Sequence, residues 1–156
     1  MRKIKVMFVC MGNICRSPMA EGVFRQLVKD RGLADRFEIA SAATGHWHLG
    51  NAPHAGTRKE LAKHGISLPG KTAQKLTAAD LQVYDYIVAM DEENVQDVRY
   101  AFNKELPRLL DYVDDINEKD VPDPYYSGNF ERVYDLVVAG CQGLLNHILK
   151  QEQLQS

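Results

Sequence analysis

A thiol and a guanidinium stand close together near the start of this chain, in the segment Cys10-Met-Gly-Asn-Ile-Cys-Arg-Ser17. Thiolates are strong nucleophiles, and an arginine presents a planar fork of N–H donors that matches two oxygens of an oxyanion. Ser17 adds a hydroxyl that can donate a hydrogen bond to the thiolate of Cys10. The segment therefore predicts a site for an oxyanion such as phosphate, with Arg16 as the clamp and Cys10 as the nucleophile.

The neighbouring elements are suited to position these groups. The apolar run Ile4–Val9, interrupted by Lys5, is typical of a strand buried in a parallel sheet, and Pro18 opens an amphipathic helix. The first turn of a helix offers unpaired N–H groups and partial positive charge, which bind anions and favour a thiolate. Gly12 gives the backbone freedom and Asn13 tolerates the left-handed conformation. The predicted phosphate-binding loop comprises Met11, Gly12, Asn13, Ile14 and Cys15.

The rest of the chain alternates between strand and helix patterns. Further strands are predicted at Phe37–Ser41 and Tyr86–Met90, and Arg108–Leu110 could begin a fourth. The predicted helices run from Pro18 to Gly32, from a capping box at Thr57–Glu60 to Gly65, from Asp91–Glu93 onward, and from Asn129 along an apolar stripe. This alternation predicts an α/β fold with an open parallel sheet, in which ligands bind at the carboxyl ends of the strands.

Composition restricts the class of protein. With 156 residues, of which 45% are hydrophobic and 26% charged, the chain is expected to form one domain over residues 1–156. A net charge of −2 gives no general attraction to nucleic acid or to membranes. The apolar run after the basic residues Arg2, Lys3 and Lys5 is too short for a signal peptide, and no transmembrane stretch follows. Three cysteines without a framework spacing favour a reducing, cytoplasmic location.

The whole string Val9–Pro18 closely resembles the active-site segment of the low-molecular-weight protein tyrosine phosphatases. Further matching pieces follow in the family's order: Ser41–Gly45, Lys63–Ile66, Asp85–Glu92 and Val121–Tyr126. The resemblance implies a four-stranded, flavodoxin-like sheet of the phosphotyrosine phosphatase I type. It also implies hydrolysis of a phosphotyrosine protein or a small aryl phosphate without metal or cofactor, and binding of inorganic phosphate or vanadate in the loop.

The resemblance assigns roles to single residues. Cys10 would form a phosphocysteine, Arg16 would hold the phosphoryl oxygens, and Asp123 would be the general acid and then the general base. Taken alone, the Pro122-Asp-Pro124 context of that aspartate favours an ordinary turn residue, although Pro124 offers no N–H to its carboxylate. Its role therefore follows from the resemblance.

The same resemblance places three aromatic side chains at the mouth of the cleft, namely Trp47, Tyr125 and Tyr126. Aromatic walls suit a phenyl phosphate. Packing in the core or on the surface is an equally good interpretation of Tyr126, and a less favoured one of Trp47. The flanking His46 and His48 have no supporting ligands for a metal site and are predicted to be solvated.

Other cysteines and polar residues have supporting roles in this interpretation. Relatives form a protective disulfide that here would join Cys10 and Cys15, while a packed Cys15 thiol is the alternative. Cys141 lies on the apolar stripe of the last helix and is predicted to be structural. Asn13, Ser17 and Ser41 resemble the family's network that supports the loop. This chain departs from many relatives at Gly70–Gln74, where their supporting histidine is missing or replaced.

Three other functions can be weighed against this one. Gly65–Thr72 fits a nucleotide-binding pattern, but it follows a helix instead of a strand, so a coincidence is favoured. Arsenate reductases of this fold use two further cysteines, and none occurs between Cys15 and Cys141. A phosphotyrosine-binding module without catalysis would not need the nucleophile Cys10.

Overall fold

A computed structural model describes residues 2–154 of the chain. Its strands are β1 (Ile4–Cys10), β2 (Phe37–Ala43) and β3 (Tyr86–Ala89). Its α-helices are α1 (Arg16–Asp30), α2 (Ala55–Ala62), α3 (Ala78–Val83), α4 (Glu92–Phe102), α5 (Pro124–Ser127) and α6 (Phe130–Gln151), and two 3-10 helices cover Ala34–Arg36 and Leu109–Tyr112. The predicted α/β alternation is confirmed.

The sheet is parallel and has the order β2-β1-β3. Its central strand β1 is buried except at Lys5, because helices cover both faces. Successive side chains of a strand point to opposite faces, so Val6 and Phe8 join the core formed with α1 and α6, whereas Met7 and Val9 pack toward α4. This arrangement fixes the carboxyl end of β1, where Cys10 lies.

The predicted fourth strand is wrong for the residues that the structure describes. Arg108 forms a single parallel bridge to Ala89, and the chain then enters the 3-10 helix Leu109–Tyr112. The backbone N–H of Arg108 donates to the Asp111 carboxylate at 2.8 Å, which caps this helix. Because this N–H and the residues after it form a local turn, pairing with β3 ends after one bridge.

Several boundaries also differ from the predictions. Helix α1 begins at Arg16 instead of Pro18, and β2 extends to Ala43. The Thr57 capping box does not form: the His54 side chain caps α2, and the Thr57 hydroxyl donates to the Cys15 carbonyl at 3.1 Å. Thr57 lies inside the first turn of α2 and uses its hydroxyl in a tertiary contact, so it does not cap the helix.

The Gly65–Thr72 segment has the context that the sequence predicted. Gly65 has a φ of +73°, and the next N–H, that of Ile66, donates to the Leu61 carbonyl at 3.0 Å, which closes the end of α2. The segment then continues without regular helix or strand up to an isolated bridge at Lys75. It is not a loop between a strand and a helix, so the interpretation as a coincidental match stands.

Candidate active site

The loop Met11–Cys15 joins the carboxyl end of β1 to the first turn of α1. Asn13 adopts a φ of +55°, as its tolerance of the left-handed conformation predicted. Gly12 has no positive φ, so the predicted backbone freedom is not used there. A Cβ at this position would lie 2.9 Å from Cδ2 of His48, which would have to shift. The absence of a side chain at Gly12 lets the His48 ring approach the loop.

Cys10 lies at the base of this loop and is only 2% exposed. Its Sγ lies 3.0 Å from the Ser17 hydroxyl, and the backbone N–H of Ser17 donates to the same sulfur at 3.4 Å. A hydroxyl and an N–H of the first turn of α1 therefore both face the sulfur. These contacts stabilise a negative charge on it.

A buried network, here called the support network, holds the loop from below and consists of Asn13, Ser17, Ser41 and Glu21. Asn13 Nδ2 donates to the hydroxyl oxygens of Ser17 at 2.7 Å and of Ser41 at 2.9 Å. The Ser41 hydroxyl in turn donates to Glu21 Oε1 at 2.6 Å. The structure thus brings together Asn13, Ser17 and Ser41, as the resemblance implied, and adds Glu21.

Arg16 is almost completely buried and contacts three groups from distant parts of the chain. Its Nη1 lies 2.5 Å from Asp91 Oδ2 and donates to the Val121 carbonyl at 3.0 Å, and its Nη2 lies 3.5 Å from Asp123 Oδ2. Burial acts to lower the pKa of Arg16, but the negative charges of Cys10, Asp91 and Asp123 outweigh it and raise the pKa. The guanidinium therefore stays charged.

One donor of this guanidinium is not used by the protein. Within the described part of the chain, the Nε of Arg16 is buried and has no hydrogen-bond partner. A buried N–H of a charged group is costly when it is unpaired. The free donor therefore fits an oxyanion in the loop.

Asp123 lies at the start of the short helix α5. Its Oδ1 accepts a hydrogen bond from the N–H of Tyr125 at 3.0 Å, while Oδ2 points toward Arg16. The expectation that Pro124 leaves this carboxylate without a backbone donor is thus incomplete, because Tyr125, one residue later, provides the donor. The carboxylate is held facing the loop.

A cleft of about 320 Å³ opens above the loop. It is lined by Cys10, Met11, Gly12, Ile14, Cys15, Arg16, His48, Asp123, Tyr125 and Tyr126. The predicted candidates thus meet at one place, apart from Trp47 and from Asn13 and Ser17, which are fully buried and do not line the cleft. The Trp47 ring covers Gly45, stacks on His46 at 5.0 Å between ring centroids, and is 65% exposed.

Two residues of this region were not assigned to the site from the sequence. The sequence predicts Asp91 as an acidic residue at a helix start, and it does cap α4 through Oδ1. Its Oδ2, however, pairs with Arg16. His48 was predicted to be solvated, yet it is half-buried and its ring lies 5.6 Å from that of Tyr125. The sequence signal for Asp91 is its place inside the matching piece Asp85–Glu92, and that for His48 is its position next to Trp47.

The two remaining cysteines differ from Cys10 in their surroundings. Burial, followed by the nearby negative charges of Cys10 and Asp123, raises the pKa of Cys15 to about 12. Burial alone raises the pKa of Cys141, which packs in the core between α6 and α1. All three cysteines are free thiols in this structure. Both Cys15 and Cys141 are therefore neutral, packed thiols near neutral pH.

Residues 2–154 lack two other kinds of feature, namely a metal site and a membrane-spanning helix. Among residues 2–154, no group of three or more histidine, cysteine, aspartate or glutamate side chains is arranged to hold a metal ion. Over the same residues, no helix combines the length and the apolar character needed to span a membrane.

Comparison with known proteins identifies the family. A protein-family model, the low molecular weight phosphotyrosine protein phosphatase, matches residues 5–154. The chain is 49% identical to the low molecular weight protein-tyrosine-phosphatase YfkJ of Bacillus subtilis, over 97% of this chain and 99% of that protein. It is 45% identical to the phosphatase PtpA of Staphylococcus aureus, over 97% and 98% of the two chains.

Solved structures agree with this result. The crystal structure of YfkJ superposes with a TM-score of 0.92 at 48% identity, covering 97% of this chain and 98% of that one. A Drosophila arginine phosphatase superposes with a TM-score of 0.86 at 30% identity, covering 93% and 98% of the two chains. The chain belongs to the low molecular weight phosphotyrosine protein phosphatase family, as its sequence motifs predicted.

Proposed function

We propose that this chain is a protein tyrosine phosphatase that hydrolyses phosphotyrosine and other aryl phosphates through a phosphocysteine, and that residues 1–156 form one phosphatase domain. One observation carries the proposal: the Cys10 sulfur, the Arg16 guanidinium and the Asp123 carboxylate line the same cleft. The family membership and the unused Nε donor of Arg16 support it. A cytoplasmic location belongs to the same proposal.

The first step forms the covalent intermediate. The Cys10 thiolate attacks phosphorus, so that an S–P bond forms while the bond from phosphorus to the phenolic oxygen breaks. Protonated Asp123 gives its proton to the leaving phenoxide, which departs as a phenol. Arg16 and the N–H groups of the loop hold the equatorial oxygens while charge redistributes among them.

The second step regenerates the enzyme. The carboxylate of Asp123 takes a proton from a water molecule, whose oxygen attacks phosphorus and breaks the S–P bond. Inorganic phosphate leaves, and Cys10 returns to the thiolate that the Ser17 hydroxyl and N–H stabilise. No step requires a metal or cofactor. Vanadate, which imitates a trigonal phosphoryl group, is expected to bind in the same loop and inhibit.

The shape of the cleft supports an aryl substrate. Tyr125 and Tyr126 line it, with their ring centroids 5.3 Å apart, and offer apolar walls to a phenyl ring. Trp47 is not among the residues that line the cleft, so its contribution to substrate binding is part of the proposal. Tyr125, Tyr126 and Trp47 are together called the rim below.

Turnover of p-nitrophenyl phosphate tests the reaction directly. The wild type is expected to hydrolyse it in the presence of a chelator and to be inhibited by vanadate. Cys10→Ser should abolish turnover, since a serine hydroxyl at this site is a far weaker nucleophile than a thiolate. Turnover retained by Cys10→Ser, or lost with the chelator, would contradict the mechanism.

The role of Asp123 is tested through the leaving group. Asp123→Asn removes the transferable proton, so phosphorylation of the enzyme should slow about 10²–10⁴-fold for phosphotyrosine. The effect should be smaller for p-nitrophenyl phosphate, whose leaving group needs less protonation. An equal effect on both substrates would exclude Asp123 as the general acid.

Substrate class needs its own measurement, because one structurally similar protein is an arginine phosphatase. The same peptide is offered with phosphotyrosine, with phosphoserine and with phosphoarginine, and phosphate release is compared. Phosphotyrosine is expected to give the highest kcat/KM. A preference for phosphoarginine would keep the phosphocysteine chemistry and overturn the substrate class.

A further inference from the structure

An ion pair joins Glu21 of the support network to Lys71, which is not among the residues that line the cleft. Lys71 Nζ lies 3.6 Å from Glu21 Oε1 and donates to the Ser41 carbonyl at 2.9 Å. The two charged side chains are 10% and 5% exposed. Arg25 contacts the other carboxylate oxygen, Oε2, at 2.7 Å. Lys71 stands in Gly70–Gln74, the segment in which this chain departs from many relatives.

The direction of each hydrogen bond in the network can be deduced. The backbone N–H of Gln74 donates at 3.1 Å to Asn13, which must present Oδ1 to it and therefore turns Nδ2 toward both serines. The Ser41 hydroxyl proton is directed to Glu21. Ser17 accepts from Asn13, so its own proton is free to be donated to the Cys10 sulfur 3.0 Å away.

Lys71 acts on the hydrogen bonds of the support network in two ways. Its ammonium holds the Ser41 carbonyl and compensates the buried charge of Glu21, which anchors the Ser41 hydroxyl. Burial lowers the pKa of Lys71, while the negative charges of Glu21 and Cys10 oppose that change. Interaction between two charges is mutual, so the cationic Lys71 favours the Cys10 thiolate. Arg16 and Asp123 are the other charged residues near Cys10, and they line the cleft together with it.

We propose that Lys71 is a positioning residue for Cys10: paired with Glu21, it holds the hydrogen-bond chain from Ser41 through Asn13 and Ser17 to the sulfur. The inference rests on the proposed function, in which Cys10 is the nucleophile. Lys71 itself touches no substrate. It acts through Glu21 and the Ser41 carbonyl.

The test follows alkylation of Cys10 by iodoacetamide, read by mass spectrometry of the Cys10 peptide as a function of pH. This reagent is uncharged and requires no phosphatase activity. Lys71→Met should move the midpoint of the alkylation curve upward by about 0.5–1 pH unit, which is roughly three- to tenfold slower alkylation at low pH. Glu21→Gln should move it downward, and the double variant should lie near the wild type.

Lys63→Met is the matched control. Lys63 also pairs with a buried glutamate, Glu60, at 3.2 Å, but it lies on the C-terminal end of α2 and contacts no member of the support network. Its alkylation midpoint should equal that of the wild type, even if thermal stability falls. The acid limb of kcat/KM for p-nitrophenyl phosphate should follow the alkylation midpoint in every variant.

Opposite shifts for Lys71→Met and Glu21→Gln support the proposal, because a loss of packing would not depend on the sign of the charge removed. An unchanged midpoint in Lys71→Met, or shifts in the same direction for both variants, overturns it. If Lys71→Met does not fold, Glu21→Gln and Lys71→Arg decide: the first must still lower the midpoint, and the second must keep it. Failure of the proposed function would appear separately, as a wild type without aryl phosphate turnover.

Discussion

The support network and the rim lie on opposite sides of the same loop and are built differently. Asn13, Ser17 and Ser41 have no exposed surface, and each has at least two hydrogen-bond contacts. Tyr125 and Tyr126 of the rim are 49% and 76% exposed, and aromatic neighbours are their main contacts. Groups that act on phosphorus need fixed positions, whereas groups that select a substrate can change at little cost to stability. The buried support network therefore serves the chemical step, and the exposed rim serves substrate selection.

Of the variants that compare the two regions, removal of the Asn13 side chain from the support network should have the largest effect on activity. Asn13→Gly keeps the positive φ available but deletes three hydrogen bonds, to Ser17, to Ser41 and from Gln74. We expect kcat for p-nitrophenyl phosphate to fall about 10–100-fold, because buried partners are left unpaired. Steady-state kinetics and thermal unfolding would measure the effect.

The control for this variant is Asn13→Ala, which loses the same hydrogen bonds and adds backbone strain at φ +55°. It should be less stable than Asn13→Gly by about 1 kcal/mol, with a similar kcat. If Asn13→Gly kept the wild-type kcat, the support network would have no part in catalysis.

A smaller effect is expected from Cys15, through the dependence of stability on pH. Its pKa is about 12 in the folded protein, against an ordinary value of 9.0, mainly because of burial. The neutral thiol thus contributes stability that is fully present below pH 9 and is lost as the pH rises from about 9 to about 12. In urea unfolding, the stability advantage of the wild type over Cys15→Ala should shrink by about 2 kcal/mol between about pH 7.5 and about pH 10.5.

Comparison with the alanine variant cancels the contributions of the other alkaline groups, including Cys141 and the tyrosines. Parallel pH profiles for the two proteins would show that the Cys15 thiol titrates alike in the folded and unfolded chains. In that case the loop would be more open to solvent than its buried side chains indicate.

The rim should give the smallest effect. Tyr125→Ala removes an exposed aromatic wall, so we expect KM for p-nitrophenyl phosphate to rise about three- to tenfold with little change in kcat or thermal stability. Tyr100→Ala is a suitable control, since Tyr100 is 95% exposed and lies on α4. The backbone N–H of residue 125, which donates to Asp123, is kept in Tyr125→Ala. A large loss of kcat would therefore show that the Tyr125 ring itself helps to position Asp123.

The sequence predicted the parts of the site that depend on local chemistry. Cys10, Arg16 and Asn13 belong to one short segment whose backbone and charges follow from residue type, and the family motifs located Asp123. It did not predict that Asp91 pairs with Arg16, because an aspartate before a helix is already explained as a cap. Lys71 and Glu21 were also beyond prediction, since two distant residues meet only when α1 and the segment after α2 have packed. The prediction of a fourth strand was wrong because the N–H of Arg108 donates to Asp111 instead of to the sheet.

The contacts of Arg16 have a consequence for the synthesis of the chain on the ribosome. Its partners Asp91, Val121 and Asp123 follow it by 75, 105 and 107 residues. At a translation rate of about 5–20 residues per second, the loop is made several seconds before the carboxylate of Asp123. During that interval the nascent segment carries the guanidinium of Arg16 without the three groups that hold it. The chain therefore acquires a complete site only near the end of its synthesis.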